Sequence, residues 1–194
     1  MDFGCPRNLK SARSYFSPLA ATNRAVMRHA TLCFPIKVDT ASDTVSEVLL
    51  AEKKSGFGKG KIVGIGGGIE SGETALRAAV RETREECHLS VCVVDLQPMA
   101  KLIFDFPYQP GWNHLVEAFL TEVWTGNLTE TAEVKPIWLA VSKIPYHRMW
   151  ADAKHWLPRV LGRQPITASF TYNSDNQTLA SIDIEALDLR TCRI

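Results

Sequence analysis

Apolar positions begin to recur only near Ala30. The run ATLCFPI is followed by a polar stretch to Asp43 and then by VSEVLLAEKK, which reads as strand, turn and strand. Residues 55–68, SGFGKGKIVGIGGG, hold seven glycines. So much glycine disfavours helix, and the segment reads as loop with a short strand in its middle. Residues 74–87, TALRAAVRETREEC, form the best helix candidate, rich in Ala, Leu, Arg and Glu. Strand-like runs follow at LSVCVVDL, AKLIFDF, LVEAFLTEVW and PIWLAV. Residues 142–162 read as a loop and a second helix, with Trp150, Trp156 and Leu157 as apolar members. ITASFTYNSDNQTLASIDI reads as a hairpin turning at residues 173–176. Strands dominate, with one early and one late helix and no internal repeat. The pattern predicts an α+β fold, a mixed β-sheet flanked by helices.

Composition narrows this little. Of 194 residues, 45% are hydrophobic and 22% charged, which permits a full core. The net charge of +1 announces neither nucleic acid nor a membrane surface. No apolar run approaches the length of a membrane span. The five cysteines (Cys5, Cys33, Cys87, Cys92, Cys192) are scattered and form no C-x-x-C pair. No disulfide framework or zinc site is expected, and a reducing compartment fits. Residues 1–28 carry Arg7, Lys10, Arg13, Arg24 and Arg28 against one acid, Asp2. That composition suits a mitochondrial transit peptide. A plain flexible tail, or a true start at Met27, is favoured over it. We therefore expect an N-terminal extension over 1–28 and one domain over 29–194.

The chemistry concentrates in GGIESGETALRAAVRETREECHL, residues 67–89. On a helix, Glu82, Glu85 and Glu86 fall within about 100° of one another, beside a mostly apolar stripe. Three like charges so close are costly unless neutralised. A hard divalent cation does this, and Mg²⁺ prefers carboxylate oxygens, water and phosphates. A solvated acidic face with arginine pairs is the better reading for an arbitrary E-x-x-E-E. The flanking residues reverse that preference.

Those residues resemble the Nudix signature. Gly67, Glu73, Arg81, Glu82, Glu85, Glu86 and Leu89 stand at its spacing. Two positions depart: Thr83 replaces an aliphatic residue, and His88 replaces a glycine. His88 must then hold the helix-ending turn, where φ is often positive. The resemblance implies the Nudix fold, an α/β/α sandwich. It implies that Glu82, Glu85 and Glu86 bind Mg²⁺, for which Mn²⁺ can substitute, together with a backbone carbonyl near Gly66. It implies that Arg81 pairs with Glu73 as a structural brace. One carboxylate polarises the attacking water, with Glu82 as candidate; Glu82, Glu86 and Glu133 form the expected catalytic set.

From about Thr31 to Ile184 the chain is similar to the MutT-like branch of that family, which hydrolyses oxidised purine nucleoside triphosphates. KKSGFGKGK (residues 53–61), IFDF (103–106), AEVKPIWLAV (132–141) and IPYHRMWADAKHWLP (144–158) carry the likeness in order and spacing. It implies Glu133 as an additional metal-binding or catalytic glutamate. It implies a base pocket lined by Thr31, Phe57, Phe104, Trp150, Asp152 and Trp156, with Lys53, Gly66 and Gly67 near the substrate. Ordinary core packing is the alternative for Phe57, Phe104 and Trp156. Two purine-reading groups are missing, because Val63 and Ala153 stand where the branch has an asparagine and a second aspartate. Each such loss changes base selectivity by about 1–3 kcal/mol.

The expected function is Mg²⁺-dependent hydrolysis of purine nucleoside triphosphates, such as 8-oxo-dGTP or 2-hydroxy-dATP, to the monophosphate and pyrophosphate, cleaning the nucleotide pool. The alternatives are a Nudix enzyme for another nucleoside diphosphate derivative (a methylated nucleotide, a dinucleoside polyphosphate or a cap) and a nucleotide-binding module without catalysis. A monomer is expected, with a nucleotide substrate, no stable nucleic-acid complex and no membrane. Its expected location is cytoplasmic, with mitochondrial or nuclear placement left open.

Overall fold

The computed structural model describes residues 27–187. The expected N-terminal extension, and the readings attached to it, lie outside the described residues except for Met27 and Arg28. The first two strands are β1 (Arg28–Asp39) and β2 (Thr44–Lys53), and the short strand expected inside the glycine-rich segment is β3 (Ile62–Val63). Helix α1 (Ala75–Cys87) precedes β4 (Gln97–Asp105), β5 (His114–Thr121) and β6 (Val134–Ala140). Helix α2 (Ala153–Leu161) is followed by the hairpin of β7 (Ile166–Tyr172) and β8 (Leu179–Ala186). Two expectations need correction. LSVCVVDL is not a strand: Ser90 makes only a bridge to Thr125 and Val93–Asp95 is a turn of 3-10 helix. LVEAFLTEVW pairs only as far as Thr121. In both cases apolar residues pack on neighbours without a strand beside them to complete a ladder.

The sheet is mixed, in the order β3-β2-β1-β5-β4-β7-β8, with β6 on the far edge of β2. β1 runs parallel to β5, and β4 parallel to β7; the other pairs are antiparallel. Alternate residues feed opposite faces, as the pleat requires. Phe34, Val48, Leu50, Leu102, Ala118 and Phe170 join Trp156, Leu157 and Val160 of α2 in one core. Cys33 and Phe119 point the other way, onto Leu76 and Ala79 of α1. The sheet is thus covered by one helix on each face, which is the expected α+β arrangement. Cys33 and Cys87 are buried thiols; Cys92 is disulfide-bonded, which departs from the reduced set expected from the sequence.

Helix α1 is built for a fixed position. The Thr74 side chain caps its start by accepting from the Arg77 N–H at 3.3 Å. His88 ends it in the left-handed region, with φ 60° and its N–H on the Arg84 carbonyl at 3.0 Å. Thr83 is fully buried, and its hydroxyl donates to the Ala79 carbonyl at 2.7 Å. That bond satisfies the polar atom that the signature's aliphatic would not have carried.

Candidate active site

Arg81 organises the acidic end of the site. Its Nε and Nη2 reach the two oxygens of Glu73 at 3.1 and 2.9 Å, a forked pair. Nη2 also donates to the Gly68 carbonyl at 2.9 Å. Nη1 donates to Glu82 at 2.8 Å and to Glu85 at 3.0 Å. One guanidinium therefore ties the loop before α1 to the helix itself. Its acidic neighbours raise the Arg81 pKa well above its ordinary value. The Arg81 hydrogen bonds hold the Glu73 carboxyl below the usual carboxylate range.

Glu86 is the buried member, only 4% exposed. It accepts from the Gly66 N–H at 2.9 Å and from Lys53 Nζ at 3.3 Å. Burial pushes its pKa up, against the opposing pull of Gly66 and Lys53. Burial also raises that of Glu82, against Arg81. Glu85 is more open and Glu133 is exposed. The glycines at the rim are required sterically. Gly66 has φ 152°, and a Cβ there would lie 2.1 Å from the Thr31 carbonyl oxygen. A Cβ on Gly67 would lie 2.6 Å from Glu82 Oε1. Glu82 and Glu86 therefore press directly against the Gly66–Gly67 segment.

The expected ligand set is not drawn together as a cage. Among the described residues no group of three His, Cys, Asp or Glu stands ready to hold a metal ion. Glu82 and Glu85 face Arg81, Glu86 faces Lys53 and Gly66, and among the described residues Glu133 makes no hydrogen bond or ion pair with any of them. The donor chemistry nevertheless fits a hard cation. Four carboxylates, Glu73, Glu82, Glu85 and Glu86, meet two cations, Arg81 and Lys53. Two of the four are raised by burial, so the cluster gains from further positive charge.

Beyond the glycine rim lies a cavity of roughly 410 Å³, within the range of small-ligand sites. Thr31, Lys53, Phe57, Val63, Gly66 and Gly67 line it, as do Phe104, Glu133, Trp150, Asp152 and Trp156. The structure thus brings every residue expected at the substrate to one cavity, and Lys53 joins that cavity to Glu86. The Thr31 hydroxyl is already used, donating to the Glu117 carbonyl at 3.2 Å. Phe104 stacks on Phe170 at 5.6 Å and Trp156 meets Phe34 edge-on at 5.9 Å, so both serve the core as well as the wall. Phe57 stacks on Trp150 at 5.0 Å and on His114 at 5.3 Å. Phe57 therefore covers one face of Trp150, and Lys61 Nζ also lies over that ring, 4.5 Å from its centre.

Sequence reasoning missed several lining residues, Phe106, His114, Met149 and Tyr172 among them. Phe106 and Tyr172 each follow a recognised or core aromatic by two positions (Phe104, Phe170) at the end of a strand, a period-2 signal that could have found them. His114 carried no such signal, because it reaches the cavity through the parallel pairing of β5 with β1.

The NUDIX domain pattern matches residues 31–160. The oxidized purine nucleoside triphosphate hydrolase of Mus musculus is 33% identical over 141 residues, covering 73% of this chain and 88% of that protein. The protein of the same name from Danio rerio is 36% identical over 127 residues, 64% of this chain and 78% of the relative. Among solved structures, a MutT protein from Bacillus halodurans matches with a TM-score of 0.67 at 23% identity, over 82% of this chain and 98% of that one. The chain therefore belongs to the Nudix family. Within it, the protein is a MutT-like pyrophosphohydrolase.

Proposed function

We propose that this chain hydrolyses purine nucleoside triphosphates, oxidised ones such as 8-oxo-dGTP and 2-hydroxy-dATP among them, to the monophosphate and pyrophosphate, and so cleans the nucleotide pool. One observation carries the reading: an aromatic cavity with a buried carboxylate, Asp152, opens across the Gly66–Gly67 rim from the Glu82–Glu86 cluster. A base held in the cavity would lie against Trp150 in place of Phe57, since aromatic faces bind bases well. The phosphates would then extend over the glycines, where backbone approaches closely. Lys53 offers them positive charge at the junction. Arg81 keeps Glu82 and Glu85 in position through its brace to Glu73 and Gly68.

The cofactor in this proposal is Mg²⁺, with Mn²⁺ as a substitute, held by Glu82, Glu85 and Glu86, with Glu133 and the Gly66 carbonyl as further candidates. When bound it would offset charge on the phosphate oxygens. Glu82 is the candidate to take the proton of the attacking water. Relatives named for oxidised purine triphosphates support the substrate class. Val63 and Ala153 favour a second reading for the base, since neither side chain hydrogen-bonds and both line the cavity. A methylated nucleotide, a dinucleoside polyphosphate or a cap would then be the substrate. The test is pyrophosphate release across a panel of normal and modified nucleotides, with Mg²⁺, with Mn²⁺ and with EDTA. Release from purine triphosphates that EDTA abolishes supports the proposal. Release only from a dinucleoside polyphosphate or cap moves the chain to the second reading.

A further inference from the structure

Asp152 is only 3% exposed and lines the cavity from the start of α2. Its two oxygens are divided between two partners. Oδ2 accepts from Trp156 Nε1 at 2.6 Å. Oδ1 accepts from the Tyr172 hydroxyl, carried on β7, twenty residues further along. An indole N–H can only donate. Oδ2 is therefore an acceptor whatever else happens. Tyr172 is fixed in turn, because its ring stacks on Phe106 at 4.3 Å and 9°. It is 1% exposed, so it does not swing to solvent.

This arrangement decides what Asp152 offers a base. A carboxylate that receives two strong donors is favoured in its ionised form. Ionised, it has only acceptor lone pairs left for the cavity. The position beside it is Ala153, so no second carboxylate shares its proton. We propose that Tyr172 is a specificity-determining positioning residue: it keeps Asp152 an acceptor, so that the cavity selects purines presenting an amino group or ring N–H at the edge it reads. This rests on the purine-nucleotide reading above and adds the class of base. The groups that could compete for control of Asp152 are few. His155 on α2 acts on it through space, and Arg28, His29, Lys53, His114 and Glu133 line the same cavity. Among the described residues, only Tyr172 and Trp156 hydrogen-bond to it through side chains. Burial raises the Asp152 pKa, and the Tyr172 bond is the first force opposing that rise.

Tyr172→Phe removes the hydroxyl and keeps the stack on Phe106. Two readouts on the full chain test the proposal. The first is the infrared band of the protonated carboxyl, assigned by its absence in Asp152→Asn. Its pH midpoint should lie higher in Tyr172→Phe than in the wild type by about one unit. An unchanged midpoint overturns the proposal. The second is binding of two triphosphates by tryptophan fluorescence, one carrying 2,6-diaminopurine and one carrying unsubstituted purine. The wild type should prefer the diamino base by about tenfold, and the pH below which that preference is lost should be higher in Tyr172→Phe by the same amount as the infrared midpoint. An infrared shift with an unchanged preference also overturns it. If the preference behaves as stated but no purine triphosphate is hydrolysed, the hydrolytic reading fails and the role of Tyr172 stands.

Discussion

Glu86→Gln separates catalysis from folding. Glu86 accepts from Gly66 N–H and from Lys53 Nζ while 4% exposed. Glutamine keeps its volume and one carbonyl oxygen for Gly66. It loses the charge that faces Lys53, and with it a buried carboxylate at the glycine rim. On stability two effects oppose. The charge-assisted bonds are lost, worth about 1.5–3 kcal/mol for a charged group. The desolvation cost that raises the pKa of Glu86 disappears as well. The net change should stay within about 1 kcal/mol, or about 2–4 °C in Tm for a chain of this size. On turnover nothing compensates, because a proposed ligand charge is gone. A fall of about 10²–10³ in kcat, or about 2.7–4 kcal/mol, is expected. Pyrophosphate release with Mg²⁺ and a thermal melt on the same preparation measure both. Near-normal turnover in Glu86→Gln and in Glu85→Gln would refute the assignment of these carboxylates.

Glu82, Glu86 and Asp152 should add stability to the metal-free protein as pH falls toward the ordinary carboxylate range, and Glu86→Gln should flatten that gain. Glu82, Glu86 and Asp152 have folded pKa values raised above the unfolded ones, so their stabilisation is present at low pH and lost as pH rises through the folded value. His114, lowered from 6.5 by burial, works in the opposite direction; a variant slope equal to the wild type's would show that Glu86 does not contribute. Gly67→Ala should cut kcat more than it lowers Tm, because its Cβ meets the Glu82 carboxylate. Gly66→Ala should lower Tm by several degrees instead, since its Cβ meets the Thr31 backbone; melts and rates measured side by side distinguish the two. Restoring Val63→Asn with Ala153→Asp should sharpen the kcat/KM ratio of 8-oxo-dGTP to dGTP. A wild type already preferring 8-oxo-dGTP several thousand-fold would show that other residues read the base.

The sequence made the elements legible where periodicity was uninterrupted. β1, β2, α1, α2 and the final hairpin all lie where their patterns put them. It misled at residues 89–96, where apolar residues fill a layer beneath α1 without a ladder partner. The acidic motif was legible because its seven positions are local, all on or beside one helix. Its hydrogen-bond partners were only partly so: Lys53 reaches Glu86 across 33 residues, and nothing in spacing states that distance. The aromatic wall was half legible. Phe57, Phe104, Trp150 and Trp156 came through the family likeness. Tyr172 and His114 enter the cavity only because β7 and β5 pair in parallel with β4 and β1, a topological fact that no short motif carries. The Phe57–Trp150 stack was invisible for the same reason, being a contact between a glycine-rich loop and a segment about ninety residues later.

The central claim is tested most directly by product analysis. The full chain is incubated with 8-oxo-dGTP, dGTP and dATP in Mg²⁺, and the products are resolved by ion-exchange chromatography. The account predicts equal amounts of nucleoside monophosphate and pyrophosphate, a yield of both about 10²–10³ lower in Glu86→Gln, and neither product with EDTA. Nucleoside diphosphate with orthophosphate, or no turnover of any purine triphosphate, would contradict it.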